Sequence, residues 1–247
     1  MQKIIRLDSV TSTNTYMATL PPDTPDGTVV TVRDQTCGRG QRGNSWEAAP
    51  GKNITLSILL RPEEVEARSQ FMVSEAVALG VADTVMEFLG PDANVKVKWP
   101  NDIYVDDRKI CGILIENTLC GRKIERSIAG IGLNVNQERF LSDAPNPVSM
   151  YMLSGREFPV CEVEEALCRN VLELTRGYLT PERFGHLHSR YCSMLWRGEG
   201  FFPYREAASG ERLEAAVDSI APTGHMTLRL TDSSLRTYAF KEVHAIL

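Results

Sequence analysis

The 247 residues read as an α+β fold: a main unit over residues 1–195, and a small β unit over residues 196–247. Three observations carry that reading. Strand patterns, either rich in β-branched residues or strictly alternating, recur on both sides of a long helical stretch between residues 68 and 89. Two further helical stretches follow the last of those strands. From about Phe201 the character changes to short strands punctuated by glycine, the mark of a small barrel.

Ile4 to Leu7 is a short strand, and the small hydroxyl residues from Ser9 to Thr15 lead into a helix from about Asn14 to Leu20. Ser12, Thr13 and Asn14 would cap that helix; the same groups could also hydrogen-bond a small polar ligand. Thr28 to Arg33 is a β-branched strand feeding the run Gln35-Thr36-Cys37-Gly38-Arg39-Gly40-Gln41-Arg42-Gly43-Asn44-Ser45-Trp46. Gly38, Gly40 and Gly43 match the Gly-x-Gly-x-x-Gly dinucleotide fingerprint in letters only. That fingerprint needs a helix opening on its third glycine, and Pro50-Gly51 followed by an alternating strand from Asn53 to Leu60 allows none. The unit is strand, glycine loop, strand. Glycines interleaved with Arg39 and Arg42 let backbone amides and guanidiniums approach an anion together, unless the loop is simply basic and solvated.

From about Arg68 to Leu89, Phe71, Met72, Ala76, Leu79, Val85, Met86 and Leu89 recur at helical spacing and mark a core helix, stopped by Gly90-Pro91. Val95, Val97 and Trp99 then alternate with Lys96 and Lys98 in a strand ended by Pro100-Asn101. Ile103 to Val105, the turn signal Asp106-Asp107 and the apolar run Lys109 to Ile115 form a hairpin. Lys98 and Lys109, with Asn101 and Asp102 between them, could face one pocket, where two ammoniums beside an amide and a carboxylate suit a phosphate with a metal ion. The alternative is that they solvate the ribbon. Lys123 to Ile131 is a further strand, running into Gly130-Ile131-Gly132-Leu133-Asn134, where glycines bring backbone close to a ligand or make a turn. Two helices follow, Glu162 to Leu179 and Pro181 to Leu195. The short strands Phe201 to Arg205, Arg212 to Ile220, His225 to Leu230 and Leu235 to Phe240 complete the chain.

A net charge of −5 and a pI near 5.5 argue against a nucleic-acid backbone as main partner, and Arg205, Arg212, Arg229, Arg236 and Lys241 are spread among acids instead of forming a stripe. Six cysteines with no Cys-x-x-Cys pair speak against a zinc site and fit a reducing cytoplasm. No apolar run reaches membrane-span length, and the first residues have no signal-peptide core.

Three stretches together resemble the signatures of biotin protein ligases, in order and at similar spacing. They are Gly38-Arg39-Gly40-Gln41-Arg42-Gly43-x-x-Trp46, then Lys98-Trp99-Pro100-Asn101-Asp102 with Asp107-Arg108-Lys109-x-x-Gly112-Ile113-Leu114-x-Glu116, and Gly130-x-Gly132-x-Asn134. The resemblance implies a catalytic domain like that of class II aminoacyl-tRNA synthetases, with mixed sheet and flanking helices, and a C-terminal SH3-like barrel. It implies that biotin and ATP, with Mg²⁺, give biotinyl-5′-adenylate and pyrophosphate, and that a lysine of a biotin carboxyl carrier protein then takes the biotinyl group. Ser12, Thr13, Asn14 and Gln35 would bind biotin, with Gly38, Gly112, Gly130 and Gly132 lining its pocket. Arg39 and Lys109, the expected catalytic pair, would reach both biotin and the adenylate, while Gln41, Arg42, Trp46, Lys98, Asn101, Asp102 and Asn134 would hold the nucleotide. No partner nucleic acid or membrane is implied, and a homodimer stays open.

Two departures accompany the match. The Ser12-Thr13-Asn14 signature comes so early that no helix-turn-helix repressor domain is expected before it. Gln41 stands where other members carry a second arginine. A lipoate-protein ligase and a non-catalytic biotin-binding module are the rival readings, the first lacking this glycine loop joined to Lys-Trp-Pro-Asn-Asp, the second having no need of Arg39 with Lys109.

Overall fold

A computed structural model of the chain describes residues 3–40, 45–142 and 144–246. Gln41, Arg42 and Gly43 of the glycine loop therefore lie outside the described residues. Seven strands form the main sheet: β1 (Ile4–Val10), β2 (Val29–Gln35), β3 (Ile54–Leu60), β4 (Val95–Lys98), β5 (Asp102–Val105), β6 (Arg108–Cys120) and β7 (Lys123–Leu133). Their order is β1-β2-β3-β7-β6-β5-β4, with β1 and β2 parallel and every other pair antiparallel. This is the mixed sheet of an α+β fold.

Strand β3 shows how the sheet is built. All seven of its residues are buried, but the two faces differ in chemistry. Ile54, Leu56, Ile58 and Leu60 belong to the large core formed with helix α2 (Phe71–Leu89), whereas Thr55, Ser57 and Leu59 point to the opposite face, as the two-residue period of a strand requires. On that second face Leu59 packs with Val30, Ile128 and Met17 of helix α1 (Thr13–Ala18). Ser12 caps α1, its hydroxyl accepting the Thr15 N–H at 3.4 Å. Helices α3 (Met150–Ser154), α4 (Val160–Tyr178) and α5 (Phe184–Ser193) follow the sheet, and α2 packs against α4.

Differences from the sequence expectation include three in the elements that follow β7. The five-residue helix α3, capped by Ser149, was not foreseen. Helix α5 opens at Phe184, with Arg183 as its N-cap, instead of at Pro181. The C-terminal stretch has five strands, not four: β8 (Phe202–Glu206), β9 (Arg212–Ile220), β10 (Met226–Leu230), β11 (Leu235–Tyr238) and β12 (Val243–Ala245). They pair antiparallel in the order β11-β10-β9-β8-β12, and no pairing among the described residues joins β11 to β12.

This second sheet is fastened to the first. Trp99 donates its indole N–H to the Gly224 carbonyl at 3.0 Å and packs edge-on against Phe240. Val97 exchanges backbone hydrogen bonds with Met194 and Trp196, both 2.8 Å, and the Arg197 guanidinium reaches the Ile246 carbonyl at 2.8 Å. The stretch between the two sheets thus runs along the edge strand that carries Lys98. No helix among the described residues is long and apolar enough to cross a membrane.

Candidate active site

The pairing register carves a cavity of about 970 Å³ into the α1 face of the sheet. Three cross-strand rows on β3, β7 and β6 face it or border it: Thr55, Gly132 and Gly112; Ser57, Gly130 and Leu114; Leu59, Ile128 and Glu116. Glycine in the first row removes the side chains that would stand above the sheet, and the Trp46 indole lies there instead. A Cβ on Gly132 would come within 2.4 Å of that ring and one on Gly112 within 2.9 Å. A Cβ on Gly130 would stand 2.3 Å from Asn14 Oδ1. The glycines of the second and third signatures therefore make a floor, and they do so from within the strands.

One end of the cavity is neutral and polar. Gln35 Oε1 accepts the Thr13 backbone N–H at 2.9 Å and its hydroxyl at 3.3 Å, and Ser57 Oγ lies 2.8 Å from Thr13 Oγ1. Ser12, Thr13 and Gln35 line this end, so the Ser12 hydroxyl that caps α1 also faces the cavity. Asn14 lines it too, but its amide is committed. Its Oδ1 accepts from Ser57 Oγ at 2.6 Å, and its Nδ2 donates to Glu116 Oε2 at 2.8 Å and to the Leu114 carbonyl at 3.3 Å.

The other end is cationic. Lys109 Nζ sits 2.7 Å from Asp102 Oδ1 and 5.6 Å from the centre of a Trp46 ring. Its backbone is clamped on both sides, with N–H to the Asn146 carbonyl at 2.8 Å and carbonyl to the Val148 N–H at 2.9 Å. Lys98 Nζ donates to the Tyr104 hydroxyl at 3.0 Å and lies 5.0 Å and 5.5 Å from the Tyr104 and Trp196 ring centres. Burial holds its ammonium below the usual lysine range, the nearby Lys109 and Arg197 charges push the same way, and Asp102 opposes them. Asn101 also lines the cavity, its Nδ2 tied to the Ile113 carbonyl at 2.5 Å. Arg39 stands at the rim, donating to Glu116 Oε1 at 2.6 Å and Thr15 Oγ1 at 3.0 Å. Phe240 and Lys241, in the turn between β11 and β12, and His244 of β12 complete the wall.

Two expected residues stand elsewhere. Asn134 is behind the cavity, not on it: its N–H bonds the Ile110 carbonyl, its Nδ2 donates to the Val148 carbonyl at 3.0 Å, and its carbonyl accepts from Met150. It pins the segment that clamps Lys109. Gly38 is also absent from the lining; its carbonyl accepts the Trp46 N–H at 2.9 Å, and a Cβ there would meet the Trp46 carbonyl oxygen at 2.3 Å. Gly38 closes the base of the glycine loop. Conversely, Glu116, Thr15, Ser57 and Tyr104 carry contacts that no local pattern foretold.

Asp102 is the sole carboxylate among the described lining residues, and Lys109 already engages it. No group of three or more His, Cys, Asp or Glu among the described residues could hold a metal ion. Among the described lining residues a divalent cation would find one carboxylate, Asp102, so phosphates bound with it would have to supply most of its other ligands.

The glycine floor is directly testable. Gly132→Ala forces the indole off the sheet or strains it, an overpacking of about 1–3 kcal/mol. Acrylamide quenching of tryptophan fluorescence should rise, and quenching equal to wild type would show that the indole does not rest on this glycine.

A profile of the Biotin/lipoate A/B protein ligase family matches residues 6–134. The biotin--[acetyl-CoA-carboxylase] ligase of Paracoccus denitrificans is 34% identical over 124 residues, which cover 50% of this chain and 51% of that protein. The bifunctional ligase/repressor BirA of Escherichia coli (strain K12) is 35% identical over 133 residues, covering 54% of this chain and 40% of that protein. The aligned stretch thus spans about half the length of these curated relatives, or less. A biotin protein ligase from Aquifex aeolicus, solved in complex with biotin and ATP, superposes with a TM-score of 0.80 at 20% identity over 99% of this chain and 98% of that one.

Proposed function

Because the chain belongs to the biotin/lipoate A/B protein ligase family, we propose that it attaches biotin to a lysine of a biotin carboxyl carrier protein through a biotinyl-5′-adenylate. One observation carries the reading: a single cavity joins a neutral end of hydroxyls and an amide to an end with two ammoniums, across a glycine floor. The neutral end matches a ureido ring, which offers both N–H donors and a carbonyl acceptor. The dithiolane of lipoate has neither, so this end favours biotin.

In the first half-reaction a biotin carboxylate oxygen attacks the α-phosphorus of ATP, the bond to the bridging oxygen breaks, and pyrophosphate leaves with that electron pair. Two anions must meet, so the contribution of the chain is charge and position. Arg39 neutralises the carboxylate, and Lys109 faces the reacting phosphate. Lys98, with Lys241 and His244 of the C-terminal stretch, meets the outer phosphates, and Trp46 and Asn101 border the nucleotide. Mg²⁺ carried on the triphosphate would neutralise the pyrophosphate, with Asp102 the carboxylate at hand. In the second half-reaction a neutral lysine amine attacks the acyl carbon, AMP leaves with the electrons of the broken C–O bond, and the amine loses a proton. In the same reading residues 1–195 are a class II synthetase-like domain. Residues 196–247 are an SH3-like barrel that closes over the nucleotide, which the reach of Phe240, Lys241 and His244 into the cavity supports. The cytoplasm would be its compartment.

Radiolabelled pyrophosphate exchange into ATP, run with biotin and with lipoate, followed by transfer to a carrier domain, tests the reaction. Exchange with biotin and transfer of label are expected; exchange with lipoate alone, or with neither, rejects the reading.

Lys98 adds a pH signature. Its lowered pKa means that the free protein loses this cation at a lower pH than an ordinary lysine near 10.4. Phosphate binding needs the ammonium, so the KM for ATP should rise with pH before that range, with kcat less affected. Lys98→Arg keeps its charge and should move that limb upward. A wild-type profile flat to the ordinary lysine range would contradict the assignment.

A further inference from the structure

The side chain of Glu116 stands in the third cross-strand row, next to the cavity but not among the residues lining it, and each of its oxygens serves a different element. Oε2 accepts from Asn14 Nδ2 at 2.8 Å, and Oε1 accepts from Arg39 Nη2 at 2.6 Å. Asn14 is a fixed point. It is 3% exposed, its oxygen is held by Ser57 Oγ at 2.6 Å, and the missing side chain of Gly130 is what leaves room for it. Both hydrogens of its Nδ2 have protein acceptors, Glu116 and the Leu114 carbonyl, so Asn14 cannot also donate to a ligand. The other arm of the guanidinium, Nη1, donates to Thr15 Oγ1 at 3.0 Å, one residue further along α1. The Arg39 guanidinium is thereby held by its two Nη atoms to elements of the rigid fold.

We propose that Glu116 is a positioning residue for the adenylate: it carries the fixed geometry of Asn14 across to Arg39, so that the loop's guanidinium is in place before the ligand arrives. This rests on the biotin-ligase reading. A guanidinium has five N–H donors, and the contacts to Glu116 and Thr15 occupy two of them, which leaves others for an anion. Holding the fork in one orientation removes the rotamer freedom that binding would otherwise have to freeze. The opposite physical outcome is that Glu116, as a carboxylate, competes with the ligand for Arg39. The two differ in sign. A held guanidinium retains the adenylate longer, whereas a competing carboxylate releases it sooner.

The off-rate of preformed biotinyl-adenylate from the full chain separates them, measured for wild type, E116Q, E116D, R39A and the double variant R39A/E116Q. E116Q should release adenylate about two- to fivefold faster, the range an exposed but geometrically defined ion pair supplies, and should raise the KM for biotin more than it lowers kcat. E116D keeps the charge and should recover part of the loss. Since the carboxylate acts only through Arg39, the double variant should release no faster than R39A alone. Release from E116Q equal to or slower than wild type, independent effects in the double variant, or a collapsed melting temperature for E116Q would each overturn the proposal. A wild type that forms no adenylate overturns the functional reading itself; one that forms and holds it, with equal release by E116Q, sinks only the role of Glu116.

Discussion

Lys109→Ala is expected to fold and to lose most of its capacity to form the acyl-adenylate. The ammonium is held in place, paired to Asp102 at 2.7 Å on a backbone fixed by bonds to Asn146 and Val148. That clamp matters because a cation stabilises developing charge most when it need not reorganise as the reaction proceeds. Losing one charge-assisted contact of about 1.5–3 kcal/mol slows the step by roughly ten- to a hundredfold. The deletion also leaves Asp102 without its partner, and a bare carboxylate in the cavity repels the triphosphate. Lys109→Ala should therefore fall further than Lys109→Ala/Asp102→Asn. Folding should survive, because the backbone bonds of residue 109 do not depend on its side chain. Single-turnover adenylation by a folded variant at near wild-type rate would remove Lys109 from the mechanism.

Much of this site was legible because its determinants are local. The alternation on β3 separates Thr55 and Ser57 from Ile54, Leu56 and Ile58 by chemistry alone, and Pro50-Gly51 excludes the helix that a dinucleotide loop would need. Lys98, Asn101, Asp102 and Lys109 fall close together in the chain because the two short strands β4 and β5 and the start of β6 return them to one place. The resemblance supplied the roles, but the strands supplied the proximity.

What could not be read is tertiary. Glu116 meets Arg39 across 77 positions and Asn14 across 102, and no local pattern reports such a pairing. Asn134 shows the opposite case. Its place after a glycine pair suggested a ligand contact, yet its hydrogen bonds go to Ile110, Val148 and Met150, so it acts on the wall behind the cavity. Helix α3 and strand β12, of five and three residues, are too short to show a period. Pro181 is a favourable first-turn residue, but the helical bonds begin three residues on, around Phe184.

Arg39→Ala should release preformed biotinyl-adenylate much faster than wild type. The guanidinium is the charged group of the glycine loop that the structure describes at the rim, 45% exposed and held by Glu116 and Thr15. An arginine reaches a carboxylate or phosphate with two parallel N–H donors, and such charge-assisted bonds are about twice as strong as neutral ones. Gln41, the neighbour that is arginine in other members by the resemblance, can supply only a neutral hydrogen bond. Retention of the mixed anhydride therefore falls more heavily on Arg39 in this chain. A full charge-assisted contact of about 1.5–3 kcal/mol corresponds to a ten- to hundredfold change in off-rate. Exposure and salt screening bring the expectation toward the lower end of that range. The effect should grow as ionic strength falls, which separates loss of charge from a general loosening of the loop. Gln41→Ala should change release only slightly, and Gln41→Arg should slow it a few-fold by restoring a second cation. Off-rates for these variants against wild type, taken at low and physiological salt, decide the matter, and equal release from Arg39→Ala and wild type would sink the assignment.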